Sequence, residues 1–369
     1  MNGDVHEHVE TLIIGGSQSG LATGHQLSQR GRPFLIVDGH QRVGDAWRHR
    51  WDSLRLFTTA RYDGLPGMPF PATPTHYPTK DDTADYLAAY AAQFHLPVMT
   101  GVTVDCVTRR GPVFEATAGD RVFTSDNVVV ATGAYHTPRI PALAESLDSG
   151  IVQLHSSRYR RPDQLREGGA LVVGAGNSGA EIALELSRDH PVWLSGRDTG
   201  QEPTRAGSLP DRLAMPVMWF VASRLLTVGS PLGRKVRDHF LHPPRGIPLG
   251  RVRRQDLAAA GVERVPRVAS VSSGLPMLED GRTLDVDNVV WCTGFDIDLT
   301  WIDLPLTLTD GYPEQDRGIV PEHPGLYIVG LPFLRSLSSV LLGGVGRDAW
   351  YIADHIDNRA PAATAELAA

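Results

Sequence analysis

A glycine-rich turn, set each time between an apolar strand and a helix-compatible segment, occurs twice in this chain, and no other feature restricts its fold as strongly. The first follows Val9 to Ile14 and reads Gly15-Gly16-Ser17-Gln18-Ser19-Gly20; a helical pattern over Leu21 to Arg30 and a second apolar strand, Phe34 to Val37, come after it. The second follows Ala170 to Val173 and reads Gly174-Ala175-Gly176-Asn177-Ser178-Gly179, with a helix over Ala180 to Ser187 and a strand over Val192 to Ser195. Each order predicts a βαβ unit in a parallel sheet. In such a turn the first glycine makes the bend, the second lets a pyrophosphate approach the backbone, and the third lets the helix pack on the strand. The helix N-terminus then offers amide donors and a positive dipole to the phosphates. One motif of this kind is weak evidence, whereas two in matched settings predict two dinucleotide sites.

The two turns differ in ways that separate their ligands. Ser17 replaces the middle glycine of the first, so its hydroxyl either donates to a phosphate or simply leaves room for one. The strand after that turn closes at Asp38, and an acid there accepts hydrogen bonds from a free ribose diol, which suits FAD. The strand after the second turn ends Ser195-Gly196-Arg197, and a guanidinium fork matches phosphate geometry, which favours NADPH over NADH. The competing role for Arg197 is a surface ion pair with its neighbour Asp198.

Between the turns, alternating segments near 102–107, 112–117 and 121–124 read as a small antiparallel ribbon leading into a buried strand, Asn127 to Ala131, and a matching ribbon precedes Val289 to Cys292. Both strands end in a Thr-Gly pair, Thr132-Gly133 and Thr293-Gly294, where the absent side chain lets the chain turn beside a ligand. The predicted fold class is α/β with two Rossmann-like dinucleotide-binding domains. A discontinuous FAD domain takes 1–145 and 290–369, and an NADPH domain, 146–289, is inserted in it.

A chain of 369 residues exceeds the size of a single hydrophobic core, in keeping with two domains. Its net charge of −7 is spread without blocks of like sign, so nothing marks a nucleic-acid surface, and a small-molecule partner is expected. Cys106 and Cys292 are the only cysteines and form no C-x-x-C pair, which excludes a disulfide framework and a dithiol redox centre of that kind. No basic segment followed by an apolar one opens the chain, so a cytoplasmic protein is expected, without a metal site; the His6-Glu7-His8 run is read as binding nothing. A homodimer is left open.

The stretch 200–255 is the least legible. Leu213 to Val228 is strongly apolar apart from Ser223 and Arg224, and Arg234, Lys235, Arg237, Arg245, Arg251, Arg253 and Arg254 follow it. It is too short to span a bilayer. The default reading is a packed helix followed by a solvated basic loop; the functional readings are a cover over the substrate entrance, or peripheral membrane contact through 213–254.

Several segments together now carry a resemblance: the first turn, Gly44-Asp45-Ala46-Trp47 followed by Trp51-Asp52-Ser53-Leu54-Arg55-Leu56, both Thr-Gly strand ends, the second turn, and Pro324-Gly325-Leu326-Tyr327-Ile328-Val329-Gly330. Over essentially its whole length the chain resembles the class B flavoprotein monooxygenases, which include flavin-containing monooxygenases, plant-type indole-pyruvate monooxygenases and bacterial relatives labelled as potassium-transport flavoproteins. After Gly330 comes Leu331-Pro332-Phe333 instead of the Gly-Asp pair of class A hydroxylases. The resemblance implies that NADPH reduces FAD, that dioxygen adds to the flavin C4a position, and that the hydroperoxide passes one oxygen atom to a small organic substrate. The cofactor carries the chemistry, and the protein orients the reactants and excludes water.

By the same resemblance, the cofactor-binding residues are Gly15, Ser17, Gly20, Asp38, Trp47, Thr132, Gly133, Gly174, Gly176, Asn177, Gly179, Ser195, Arg197, Thr293, Gly294 and Gly330. The candidates nearest the chemistry are Trp47, Thr58 and His155. Trp47 lines the flavin or fills core, and Arg55 faces a phosphate, a substrate acid or solvent. His155 and Tyr159 keep part of the family's F-x-G-x-x-x-H fingerprint, with Ser149 and Ile151 where Phe and Gly are expected, so His155 is either structural or couples the domains. Phe57 stands where many relatives place a flavin-side Asn, leaving Thr58 or Thr59 as substitutes. Two further functions remain on the table: an NAD(P)H oxidase or acceptor reductase, and a redox-sensing regulatory subunit.

Overall fold

The computed structural model describes residues 5–241 and 247–359. Two sheets, each built around one glycine-rich turn, divide the described residues. In the first, parallel strands Val98–Thr100, Phe34–Asp38, Val5–Ile14 and Arg121–Val130 lie in that spatial order. The second is wholly parallel, in the order Glu263–Val265, Val192–Ser195, Ala170–Val173, Asn288–Trp291, Val152–His155. Register brings the functional strand ends level. Ile14 pairs with both Val37 and Val130, and Val173 pairs with both Ser195 and Trp291. In each sheet the strand that feeds the turn therefore sits between one neighbour that ends at or just before a charged residue, Asp38 or Arg197, and one followed by Thr-Gly, at the carboxyl edge where open α/β sheets bind ligands.

Of the ribbon expected near 102–107, 112–117 and 121–124, the first strand forms later, at Cys106–Arg110, antiparallel to Val113–Ala118, which in turn lies antiparallel to Arg121–Val130. The segments read separately at 121–124 and 127–131 form one strand. Its first half is alternately buried beside the ribbon, and its second half is continuously buried beside Leu326–Ile328, so one strand carries two sequence patterns. A hairpin, Val268–Ser272 with Leu275–Leu278, is the matching ribbon. Ile13, Ile36 and Val129 pack one face of the first sheet against helices Gln18–Ser28 and Val345–Asn358, while Leu12, Val37 and Val130 fill the other face.

The expected division at 289 and 290 falls within a strand, Asn288–Trp291, which lies whole in the second sheet. Two segments also cross between the bodies. Trp51 and Leu54, from the first, are buried in the second core with Tyr159 and Val172. Conversely, the 204–230 segment docks on the first body, where Asp211 accepts from the Tyr77 hydroxyl at 2.7 Å and Arg347 donates to the Ser223 carbonyl at 2.7 Å. Residues 360–369 of the expected FAD domain lie outside the described residues.

The default reading of 213–228 is overturned. It forms a helix, Leu209–Phe220, that runs on into a wider turn at Val221–Leu225, and its outer apolar residues are exposed instead of packed. Arg234, Lys235 and Arg237 stand on a further helix, Pro231–Leu241, where a solvated loop was expected; Arg245 lies outside the described residues. Among the described residues, no helix is long and apolar enough to cross a membrane.

Candidate functional site

The two turns share one construction. Gly15 and Gly174 adopt φ of +113° and +112°, which only glycine takes without strain. A Cβ on Gly20 would strike the Gly15 carbonyl, and one on Gly179 the Gly174 carbonyl, so the third glycine of each is fixed by helix-to-strand contact. The middle position is different: Ser17 and Gly176 have nearly the same extended backbone, φ −91° and −79°, so no strain demands glycine there. A Cβ at Gly176, Gly133 or Gly294 would meet no heavy atom within 4 Å, leaving a cradle beside each turn. Gly330 closes the first cradle. Its Cβ would strike the Ser19 hydroxyl, and it lies 3.8 Å from the Gly133 Cα on the same measure.

Around the first turn the polar groups are tied together. Ser17 donates to Gln18 Oε1 at 2.6 Å, and Trp47 Nε1 donates to the same oxygen at 3.1 Å. The indole packs against both major cores at once, so Trp47 is both core filler and neighbour of the turn. Asp38 takes hydrogen bonds from the Gly16 amide at 2.5 Å and the His40 amide at 2.7 Å, with the His40 ring 2.9 Å away. Burial opposes its ionisation, but the His40 ring and the two amides outweigh burial and hold the carboxyl below its usual range. A charged acceptor is thus fixed beside the first turn. Thr132 is half-buried at the adjoining strand end.

Beside the second turn the charge is reversed. Asp198 pairs with Arg254 at 2.7 Å and accepts from the Gly200 amide, so it is not Arg197's partner. Among the described residues the exposed Arg197 makes no ion pair, and Arg264 donates to the Gly196 carbonyl beside it. The sequence marks Arg254 only as part of a solvated basic loop and does not single out Arg264; the fold brings both to this strand end. Two other expected binders are occupied elsewhere. Ser195 is fully buried, bonded to Pro266 O and the Val268 amide, and Asn177 clamps Pro248 O and the Gly250 amide.

His155 sits at the junction. The Ser157 amide donates to Nδ1 at 3.2 Å, which leaves the proton on Nε2 to donate to Gly294 O at 3.0 Å. Burial lowers its pKa, the Gly294 bond partly offsets this, and Arg50 adds to the lowering. The ring is therefore neutral, packs edge-on to Phe295, and ties the Val152–His155 strand to the second Thr-Gly, where the Thr293 hydroxyl donates to Arg139 O. Arg50 also lies here, over the Phe295 ring and donating to Tyr135 O.

Thr58 is buried and donates to Asp63 Oδ1 at 2.5 Å, while Phe57 is 46% exposed and Arg55 donates to Tyr77 O from the surface. Asp63 is fully buried with Oδ2 unpartnered, and burial raises its carboxyl to about 7 in spite of Thr58. A buried acid of this kind leaves no trace in a sequence pattern. Next to it a cavity of about 450 Å³ is lined by Arg61, Tyr62, Leu65, Met68 and Trp219, the last packed tilted against Tyr62 from the Leu209–Phe220 helix. Burial lifts the Cys292 thiol to about 12, so it is no ready nucleophile, and Cys106 is distant in sequence and free.

Two Rossmann-like bodies, each with a glycine turn facing a Thr-Gly strand end, define a flavoprotein fold with two dinucleotide sites. Residues 12–208 match the pyridine nucleotide-disulphide oxidoreductase family. The chain is 39% identical over 95% of its length to an uncharacterized CzcO-like oxidoreductase of Geobacillus kaustophilus, covering 99% of that protein. It is 28% identical to a probable indole-3-pyruvate monooxygenase, YUCCA9, of Arabidopsis thaliana, over 94% of this chain and 88% of that one. A flavin-containing monooxygenase from Stenotrophomonas maltophilia superposes with a TM-score of 0.73 at 30% identity, over 95% of this chain and 98% of the other. The chain belongs to the pyridine nucleotide-disulphide oxidoreductase family and, within it, to the flavin-dependent monooxygenases. It is an oxidoreductase that uses a flavin and a pyridine nucleotide.

Proposed function

We propose that FAD is held at the first turn and NADPH at the second, and that the enzyme inserts one oxygen atom from O2 into a small organic substrate. The observation that carries this reading is the opposite charge beside equivalent strand ends, a fixed carboxylate at Asp38 and a guanidinium at Arg197 that makes no ion pair among the described residues. Gly15, Ser17, Gly20, Gly133 and Gly330 would cradle the FAD pyrophosphate, with the amides opening Gln18–Ser28 as donors. Asp38, also bonded to the Gly16 amide, keeps lone pairs for a ribose diol. Gly174, Gly176 and Gly179 would do the same for NADPH, with Arg197 on its 2′-phosphate. Bound FAD would supply both hydride acceptance and the activation of dioxygen.

The chain's own task is orientation and dryness. His155 fixes the second Thr-Gly crossing from the junction, and its neutral ring is a positioning group. Thr58, its hydroxyl held by Asp63, follows Phe57, the position where relatives carry Asn; Trp47 packs beside the first turn. A cytoplasmic location fits this chemistry.

One observation favours a second function. Phe57 supplies no hydrogen bond at the Asn position, so an NAD(P)H oxidase remains the competitor. NADPH oxidation measured with sulfides, amines, 2-oxo acids and ketones decides between them. A monooxygenase incorporates labelled oxygen into at least one of these and lowers peroxide release; stoichiometric hydrogen peroxide with every compound overturns the proposal.

A further inference from the structure

The helix Leu209–Phe220 turns its inner face to the protein. Asp211 is bonded to Tyr77, and Trp219 packs tilted against Tyr62 beside the cavity of about 450 Å³, so the helix is firmly seated. Its outer face is apolar. Leu209, Leu213, Val217 and Phe220 recur at helical spacing and are 70, 70, 63 and 55% exposed. Leu225, in the turn that follows, and Leu232, on Pro231–Leu241, are also exposed, at 49 and 59%. Scattered exposed leucines need no explanation, but a contiguous ridge of this kind marks an interaction surface.

The border of the ridge says what covers it. Arg212, Arg224, Arg234 and Lys235 are exposed on the same stretch, and between 209 and 241 Asp238 is the one exposed acid, in a chain whose net charge is −7. This is a local inversion of sign. A two-fold contact with a second copy would set that basic border against itself, which like-charge repulsion disfavours. A flat apolar ridge with a cationic rim matches a bilayer interface carrying anionic headgroups, where the leucines and phenylalanine enter the acyl boundary and the cations meet phosphates.

We propose that the ridge Leu209–Leu232 binds the surface of anionic phospholipid membranes, and that the helix beside the cavity is the element that docks. This assignment rests on the surface alone and is independent of which cofactors the turns hold. The test is flotation of the full-length protein with vesicles of phosphatidylcholine alone or mixed with phosphatidylglycerol. The protein floats with the mixed vesicles, stays below with neutral ones, and is released by raised salt. The variant Leu213→Glu/Val217→Glu/Phe220→Glu stays below with both, while its circular dichroism and flavin content match the parent, because the substituted residues face outward. Protein that stays below the mixed vesicles overturns the proposal. So does an equal flotation of parent and variant, or a dimer in sedimentation equilibrium that the same variant turns into monomer.

Discussion

The two glycine turns share their first and third positions and differ at the middle residue and at the neighbouring strand end. In both, φ above +110° at Gly15 and Gly174 and close carbonyl contact at Gly20 and Gly179 are set by the βαβ geometry, whatever is bound. The middle position carries no such backbone demand, which is why Ser17 and Gly176 are interchangeable in conformation. Shared geometry therefore defines a dinucleotide site, and the unshared charge at Asp38 and Arg197 distinguishes the two sites. The strand ends carry more information about the ligand than the turns do.

Substitutions at the two sites can break that comparison. The largest effect is expected from Gly15→Ala. The left-handed backbone costs about 1–3 kcal/mol, and the new Cβ would come within 2.6 Å of Ala131 O. The variant is expected to purify colourless and to resist reconstitution with FAD; a yellow Gly15→Ala protein places the flavin elsewhere. Next comes Arg197→Ala, expected to raise the KM for NADPH by about 10–100-fold, the equivalent of a charge-assisted bond worth about 1.5–3 kcal/mol, with the KM for NADH nearly unchanged. Equal losses for both nucleotides would remove Arg197 from the 2′-phosphate.

A smaller effect is expected at the junction. The folded His155 has a lowered pKa, so it stays neutral where the unfolded histidine takes up a proton. Its contribution to stability is complete above the ordinary value of 6.5 and is lost as pH falls below it toward the folded pKa. In His155→Gln the Tm is expected to fall less steeply over that acid range than in the parent, as read by thermal scans at a series of pH values. Parallel profiles would contradict a neutral buried ring. The smallest effect belongs to Ser17→Gly. The hydroxyl bonds to Gln18 in the folded protein, so FAD affinity is expected to change by no more than about 1 kcal/mol, measured by fluorescence quenching.

The sequence displayed the fold through local periodicity. Both βαβ units and both Thr-Gly ends stand where patterning put them, because each is encoded within a few consecutive residues, while the first ribbon strand forms at Cys106–Arg110 instead of 102–107. What it hid depended on distance along the chain. Arg254 reaches Asp198 and Arg264 reaches the Gly196 carbonyl from more than fifty positions away, and among the described residues Arg197 is left without an ion pair. Ser195 and Asn177 have the residue types of ligand contacts, yet Pro266 O and Pro248 O, about seventy residues on, take their hydrogen bonds. Asp63 shows no sign of its burial in its neighbours Tyr62 and Gly64. The apolar run at 213–228 misled in the opposite sense, since hydrophobicity fixes that a face is apolar and says nothing of what lies against it.

Anaerobic mixing of Gly174→Ala with NADPH tests the central claim most directly. The account predicts a protein that retains its yellow FAD, because the first turn is untouched, and that NADPH bleaches far more slowly than it bleaches the parent. Loss of flavin from this variant, or bleaching at the parent's rate, would contradict the assignment of one dinucleotide to each turn.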